Sequence, residues 1–210
     1  MRVTGGRYAG RQLISPKGPR IRPTQDRVRQ ALFNILGNRV EGAKALDLFS
    51  GSGAMGIEAL SRGASHVTFV DCSGFCTRAI RTNLERLGHV SHAEWSTRGG
   101  ADSQGGYIPD SSFCSNRVIQ VNVQEAIRRF DRAGEQFDLV LLDPPYDEDL
   151  ARKTLMELSR YAIVSETGWV VAEHNKRGPL PENLEGKSNR LVSQRVEIYG
   201  DTALAFYQRQ

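Results

Sequence analysis

Four residues, Asp143-Pro144-Pro145-Tyr146, carry the sharpest chemical signal in this chain of 210 residues. They directly follow an apolar run, Phe137 to Leu142, of the kind that forms a buried parallel strand. A carboxylate and a backbone carbonyl, held in a segment stiffened by two prolines, make a fixed pair of hydrogen-bond acceptors. Such a pair suits an exocyclic amine on a nucleobase, whose lone pair is delocalised into the ring. Accepting its two hydrogens draws the nitrogen toward the tetrahedral geometry it needs to attack a methyl group. Asp143 and the Pro144 carbonyl are the expected acceptors. Tyr146 offers a flat face on which an extruded base can stack, worth roughly 1–3 kcal/mol. The plainer alternative is a turn leading into a helix, since Asp and Pro serve both.

A second constellation is Asp47-Leu48-Phe49-Ser50-Gly51-Ser52-Gly53-Ala54-Met55-Gly56, between a short apolar strand and a helix. Its glycines allow a tight turn and a close approach of ligand to backbone. Asp71 closes the next strand, at the distance expected of an acid that binds ribose hydroxyls. Three readings stay open: a dinucleotide with its pyrophosphate on the helix N-terminus, S-adenosylmethionine with its amino-acid end on the glycine turn, or a tight turn without ligand. Asp47 favours the second, because a carboxylate there holds an ammonium and repels a pyrophosphate. Asn122, after the third expected strand, suits either an adenine contact or a helix N-cap. Glu173 and His174 end the fifth; a lone histidine there is more often structural than a catalytic base. Cys72, Cys76, His89 and His92 fit no common zinc spacing, so no metal is expected. Neither a GxxxxGK[ST] loop nor a GxSxG elbow occurs.

The elements that must position these groups alternate. Strands are expected at 45–49, 66–70, 118–121, 137–142 and 168–173, and helices near 54–62, 73–87, 123–132 and 148–161. A closing antiparallel hairpin is expected at 190–198 and 203–208. The pattern predicts an α/β, doubly wound, mostly parallel seven-stranded sheet. Before it, Thr24 reads as an N-cap, and Val28, Ala31, Leu32, Ile35 and Leu36 form an apolar stripe. Arg22, Arg27 and Arg29 flank that cap and are expected to point outward. Segment 96–117, polar and rich in Gly and Ser, reads as a flexible insertion.

Composition sets the class. The chain is 39% hydrophobic and 25% charged, with a net charge of +4, which excludes disordered, collagen-like and disulfide-scaffold classes. Its three cysteines read as reduced thiols. No apolar stretch approaches a membrane span, and the N-terminus lacks the apolar run of a signal peptide, so a cytoplasmic protein is expected. Residues 1–39 hold nine Arg or Lys against one acid, Asp26, while the remainder is mildly acidic. A basic arm or hairpin on an acidic body suggests a polyanion partner, most simply nucleic acid.

With these residues in view, the chain resembles the bacterial 16S ribosomal RNA guanine-N2 methyltransferase family, the small-subunit RNA methyltransferase D type. The resemblance is carried by residues 2–11, 22–36, 47–64 and 143–146. It implies a Rossmann-like class I fold and the use of S-adenosylmethionine. It implies methylation of one guanine amine in 16S rRNA, within an assembled or partly assembled small ribosomal subunit. By position, Asp47, Phe49, Gly51, Gly53, Asp71 and Asn122 would line the cofactor site. Asp143, Pro144 and Tyr146 would hold the base, and Arg7, Arg11, Arg22, Thr24, Arg27 and Arg29 would bind RNA. Residues 1–39 then form an RNA-binding arm and helix, and 40–210 the methyltransferase domain, with a monomer expected. Three departures are segment 89–117, longer than expected for the family, Ser50, where alanine is common, and Asn122, where aspartate is frequent. Competing readings are an NAD-dependent oxidoreductase, a DNA adenine-N6 methyltransferase and a non-catalytic RNA-binding assembly factor. Protein glutamine methylation is disfavoured, since that motif begins with Asn where Asp143 stands.

Overall fold

The computed structural model describes residues 1–15, 26–89, 115–145 and 148–210. Helix α1 (Asp26–Leu36) precedes β1 (Lys44–Leu48), α2 (Ala54–Ser61), β2 (His66–Asp71) and α3 (Gly74–Arg86). Then follow β3 (Ser115–Gln120), α4 (Val123–Arg132), β4 (Phe137–Leu142), α5 (Glu148–Arg160), β5 (Val164–Asn175), β6 (Asn183–Glu185), β7 (Arg190–Tyr199) and β8 (Thr202–Arg209). All eight strands join one sheet in the order β3-β2-β1-β4-β5-β8-β7-β6. Strands β1 to β5 pair in parallel and the last three pair antiparallel.

Strand alternation splits the core in two. Ala45, Val67, Phe69, Leu139, Leu141 and Val171 face α1, α2 and α3. Leu46, Leu48, Val70, Val140, Leu142 and Val170 face α4 and α5. Both sheet faces are thus covered, which is why the central strands read as nearly continuous apolar runs. The chain winds outward from β1 through β2 to β3, then returns to lay β4 and β5 on the other side of β1. The gap between the carboxyl ends of β1 and β4 is therefore the topological switch point, where open α/β sheets bind their ligands.

Three expectations are corrected. The sheet has eight strands, because the three-residue β6 adds an edge to β7, too short to leave a period in the sequence. Strand β3 begins at Ser115, so residues 115–117 are not part of an insertion. Two of their polar side chains find partners there: Ser115 Oγ meets His66 Nδ1 on β2 at 2.6 Å, and Arg117 reaches Glu135, in the loop before β4, at 2.9 Å. The rest of that segment, 96–114, lies outside the described residues.

The third correction concerns α1. Its buried face comprises Val28, Arg29, Leu32, Phe33 and Leu36, with Ala31 and Ile35 only half-buried. Arg29, expected to point outward, is fully buried. Its Nε lies 3.4 Å from Glu58 Oε2, and its Nη2 donates to Asp26 Oδ1 at 2.9 Å and to the Arg2 carbonyl. Glu58, equally buried, also accepts the Thr4 amide and hydroxyl at 2.7 Å each and Arg62 Nε at 2.8 Å. A buried guanidinium persists only when paired, and this carboxylate pairs it. Arg29 is accordingly a structural residue and not an RNA contact.

Candidate active site at the sheet switch point

Residues 1–15 are docked on the domain. Val3 and Leu13 are buried in its core, and a single antiparallel bridge, Arg2 to Gln12, closes the hairpin. The arm is tied to α2 by Ser61, whose Oγ accepts the Tyr8 amide at 2.8 Å, and to His89 by the Tyr8 hydroxyl at 2.8 Å. Arg7 and Arg11 remain exposed on its outer side, as does Arg27 at the start of α1. Arg22 and Thr24 lie outside the described residues.

The turn after β1 is held on every side. Phe49 has φ 63°, the single non-glycine with positive φ among the described residues. That left-handed step, costly for a bulky side chain, swings the chain sharply out of the strand. Ser50 then stitches the turn to β2. Its Oγ accepts the Val70 amide at 2.9 Å and donates to the Asp47 carbonyl at 2.6 Å. The serine found where alanine is common thus has a structural task. Gly51 (φ 56°) donates its amide to Asp71 Oδ2 at 2.9 Å, and Ser73 donates to Asp71 Oδ1 at 2.8 Å. Asp71 therefore braces both loops, with lone pairs to spare for ribose hydroxyls. Gly53 has φ 80°, and a Cβ on Gly56 would sit 2.3 Å from Phe69 Cε1. The last glycine of the motif is required by helix-to-strand packing rather than by a ligand.

Asp47 lies beneath this turn, 1% exposed. Its Oδ2 accepts the Gly56 amide at 2.9 Å. Burial pushes its carboxyl up to about 8; the Gly56 hydrogen bond opposes that rise, and the nearby charges of Asp143 and Asp71 add to it. Three carboxyl groups thus converge on the switch point, and burial favours the protonated form of the one on Asp47.

Asp143 is brought to the same place by register. Leu48 of β1 pairs with Leu142 of β4, so Phe49 and Asp143 leave adjacent strands side by side. Asp143 and Pro144 are half-buried and Pro145 is exposed. Tyr146 lies outside the described residues. Asn122 caps α4, its Oδ1 accepting the Gln124 amide at 2.9 Å, which is the plainer of its two expected roles. His174 Nδ1 meets the carbonyls of Asn175 at 2.9 Å and Gly178 at 3.0 Å, a structural role. Among the described residues no group of three or more His, Cys, Asp or Glu could hold a metal ion, and no helix is long and apolar enough to cross a membrane.

Sequence reasoning missed Asn83. It is fully buried in α3, and its Nδ2 donates to the Ser52 carbonyl in the middle of the turn at 3.0 Å. The available signal was an amide within the apolar stripe of Ala79, Ile80, Leu84 and Leu87. Glu58 and Arg29 carry the same signal in α2 and α1.

The arrangement is similar to proteins already known. The family model described as Conserved hypothetical protein 95 matches residues 1–104 and 110–208. A Bacillus subtilis protein named "Putative rRNA methyltransferase YlbH" is 33% identical over 210 residues, covering 100% of both chains. The "Ribosomal RNA small subunit methyltransferase D" of Escherichia coli K12 is 29% identical over 210 residues, covering 100% of this chain and 90% of its own. Among solved structures, a hypothetical protein of Thermus thermophilus superposes with a TM-score of 0.72 at 26% identity, covering 98% of each chain. An RNA methyltransferase of Salinibacter ruber, solved with S-adenosyl-L-homocysteine, has the same fold at a TM-score of 0.57 and 15% identity, covering 89% of this chain and 93% of its own. The fold is the Rossmann-like class I methyltransferase fold, and the chain belongs to the Conserved hypothetical protein 95 family, that of the small-subunit ribosomal RNA methyltransferases of type D.

Proposed function

We propose that this protein transfers a methyl group from S-adenosylmethionine to the exocyclic N2 amine of a guanine in 16S rRNA of the small ribosomal subunit. The observation that carries the reading is the β1–β4 register, which sets the Asp47 turn and the Asp143-Pro144 acceptors on neighbouring strand ends. The residues present fit the cofactor. Asp47 is a buried carboxylate whose proton a ligand ammonium displaces, and Asp71 has capacity left for ribose hydroxyls. Phe49, Gly51 and Gly53 shape the turn between them, and Asn122, the N-cap of α4 just beyond β3, offers its Nδ2 to adenine. The relatives named as rRNA methyltransferases support the substrate class, and a ribosomal substrate implies a cytoplasmic protein.

When bound, the cofactor supplies an electrophilic methyl on its sulfonium. Asp143 and the Pro144 carbonyl accept the two hydrogens of the amine and turn its lone pair toward that methyl. Once the amine carries the methyl, its surplus proton would pass to Asp143 or to solvent. Tyr146 stacks on the extruded base. The proline lock keeps the acceptors in place before the base arrives, so orientation supplies much of the rate enhancement. Arg7, Arg11, Arg22, Thr24 and Arg27 contact the RNA, and the protein works as a monomer.

The test is incubation with cofactor labelled in its methyl group, separately with 16S rRNA, small subunits and DNA, followed by digestion to nucleosides. Labelled N2-methylguanosine is expected. Label in N6-methyladenine of DNA would replace this reading with that of a DNA enzyme, and no label in any single turnover would leave only an RNA-binding role.

A further inference from the structure

Asn83 bridges two segments that the proposed reading treats as separate. Its Oδ1 accepts the Ile14 amide at 2.8 Å, and its Nδ2 donates to the Ile14 carbonyl and to the Ser52 carbonyl, both at 3.0 Å. One rigid, fully buried amide plane thus uses its acceptor and both donors, the Ser52 bond in the interior and the two Ile14 bonds at its half-buried edge. Ser52 stands between Gly51, whose amide Asp71 holds, and Gly53. Its own hydroxyl also reaches the Met1 sulfur at 3.7 Å, a second link from turn to arm. Ile14 is where the docked arm gives way in sequence to the stretch holding Lys17, Arg20 and Arg22.

We propose that Asn83 is a positioning residue that couples the amino-terminal arm to the cofactor turn, so that RNA on the arm and cofactor on the turn raise each other's affinity. This rests on the reading above, in which the arm meets RNA and the turn meets cofactor. The device is geometric. The Ser52 carbonyl and the Gly53 amide lie in one peptide plane, and that amide donates to the Ser50 carbonyl at 2.6 Å, so fixing the Ser52 carbonyl fixes the turn from Ser50 to Gly53. RNA that immobilises Ile14 immobilises the amide holding that carbonyl, and a turn made rigid by cofactor does the reverse. Such coupling is reciprocal by linkage.

The test uses the full chain and two variants. Asn83→Asp sets a carboxylate against the Ser52 and Ile14 carbonyls. Ile14→Pro removes the N–H that donates to Oδ1 without changing Asn83 or Ser52 themselves. S-adenosylhomocysteine affinity is measured by calorimetry. RNA affinity is measured by filter binding to 16S rRNA and to small subunits, with and without saturating S-adenosylhomocysteine. In the wild type, S-adenosylhomocysteine is expected to tighten RNA binding by about tenfold, within the usual range for coupled sites. That ratio falls to about one in both variants. A lowered Tm with the ratio intact would mean that Asn83 merely packs α3, and it overturns the proposal, as does a wild-type ratio of one. A wild type that binds no S-adenosylhomocysteine overturns the methyltransferase reading as well, an outcome distinct from binding without coupling.

Discussion

Asp143 and Asp47 are both aspartates at the same strand ends, yet their surroundings assign them different work. Asp143 follows the strand, half-buried, where an incoming amine can reach it. Asp143→Ala is expected to lower methyl transfer about 10²- to 10³-fold, the cost of removing one preorganised hydrogen-bond group. S-adenosylhomocysteine binding should be unchanged, and near-wild-type turnover would remove Asp143 from the mechanism. Asp47 is enclosed, and its carboxyl is raised by burial to about 8. Between the ordinary value of 3.8 and about 8 the folded protein keeps a proton that the unfolded chain has lost. Its contribution to stability is therefore complete below the ordinary value and falls away as pH rises through about 8. Asp47→Asn still offers the Gly56 amide an acceptor. It is expected to raise the Tm at pH 8 by roughly 2–4 °C, the shift that about 1 kcal/mol gives in a protein of this size. The same variant should weaken S-adenosylhomocysteine at least tenfold, a change of about 1.4 kcal/mol. In the wild type, binding at pH 7 should release up to one proton, read from calorimetric heats in buffers of different ionisation enthalpy. Affinity should climb toward pH 8, and a flat pH profile would contradict the ammonium contact.

Helices α1 and α2 and the arm are one structural unit, joined by the buried Arg29–Glu58 pair and its partners Thr4, Arg62 and Asp26. Removing Arg29 strips the buried Glu58 of one of its two cations and leaves it with Arg62. Arg29→Ala is expected to cost about 3–5 kcal/mol, measured by denaturant unfolding. Arg27, exposed two residues earlier, should change stability by less than about 0.5 kcal/mol when replaced by Ala. It should weaken RNA binding instead. Equal stability losses in the two variants would contradict the contrast in their burial. The same docking bears on how the arm can be probed. Deleting it would strip Val3 and Leu13 from the core, so side-chain substitution separates RNA binding from folding where truncation would not.

Across the molecule, charge and topology divide the labour. Three carboxyl groups meet at the switch point, where a cationic cofactor end belongs, while exposed basic residues lie along the arm and α1. Replacing both Arg7 and Arg11 by Gln should weaken binding to 16S rRNA. It should also reduce the salt slope of log affinity by about 0.7 for every phosphate that the two arginines neutralise. An unaltered slope would take those two residues out of the interface. The element order and the pairing of a glycine turn with the Asp143 tetrapeptide were legible because they repeat or cluster along the chain. Apolar periodicity reports burial, and glycine and proline report backbone geometry, both of which are local properties. The partners of Arg29 and Asn83, the edge strand β6 and the unusual environment of Asp47 were not legible. A charged or amide side chain on an apolar helix face announces that something must satisfy it, but which group does so depends on distant segments meeting across the core. Residue types and their spacing therefore fixed the class of chemistry, whereas the protonation of Asp47, the burial of Arg29 and the link from arm to turn arose from contacts between chain segments far apart in sequence.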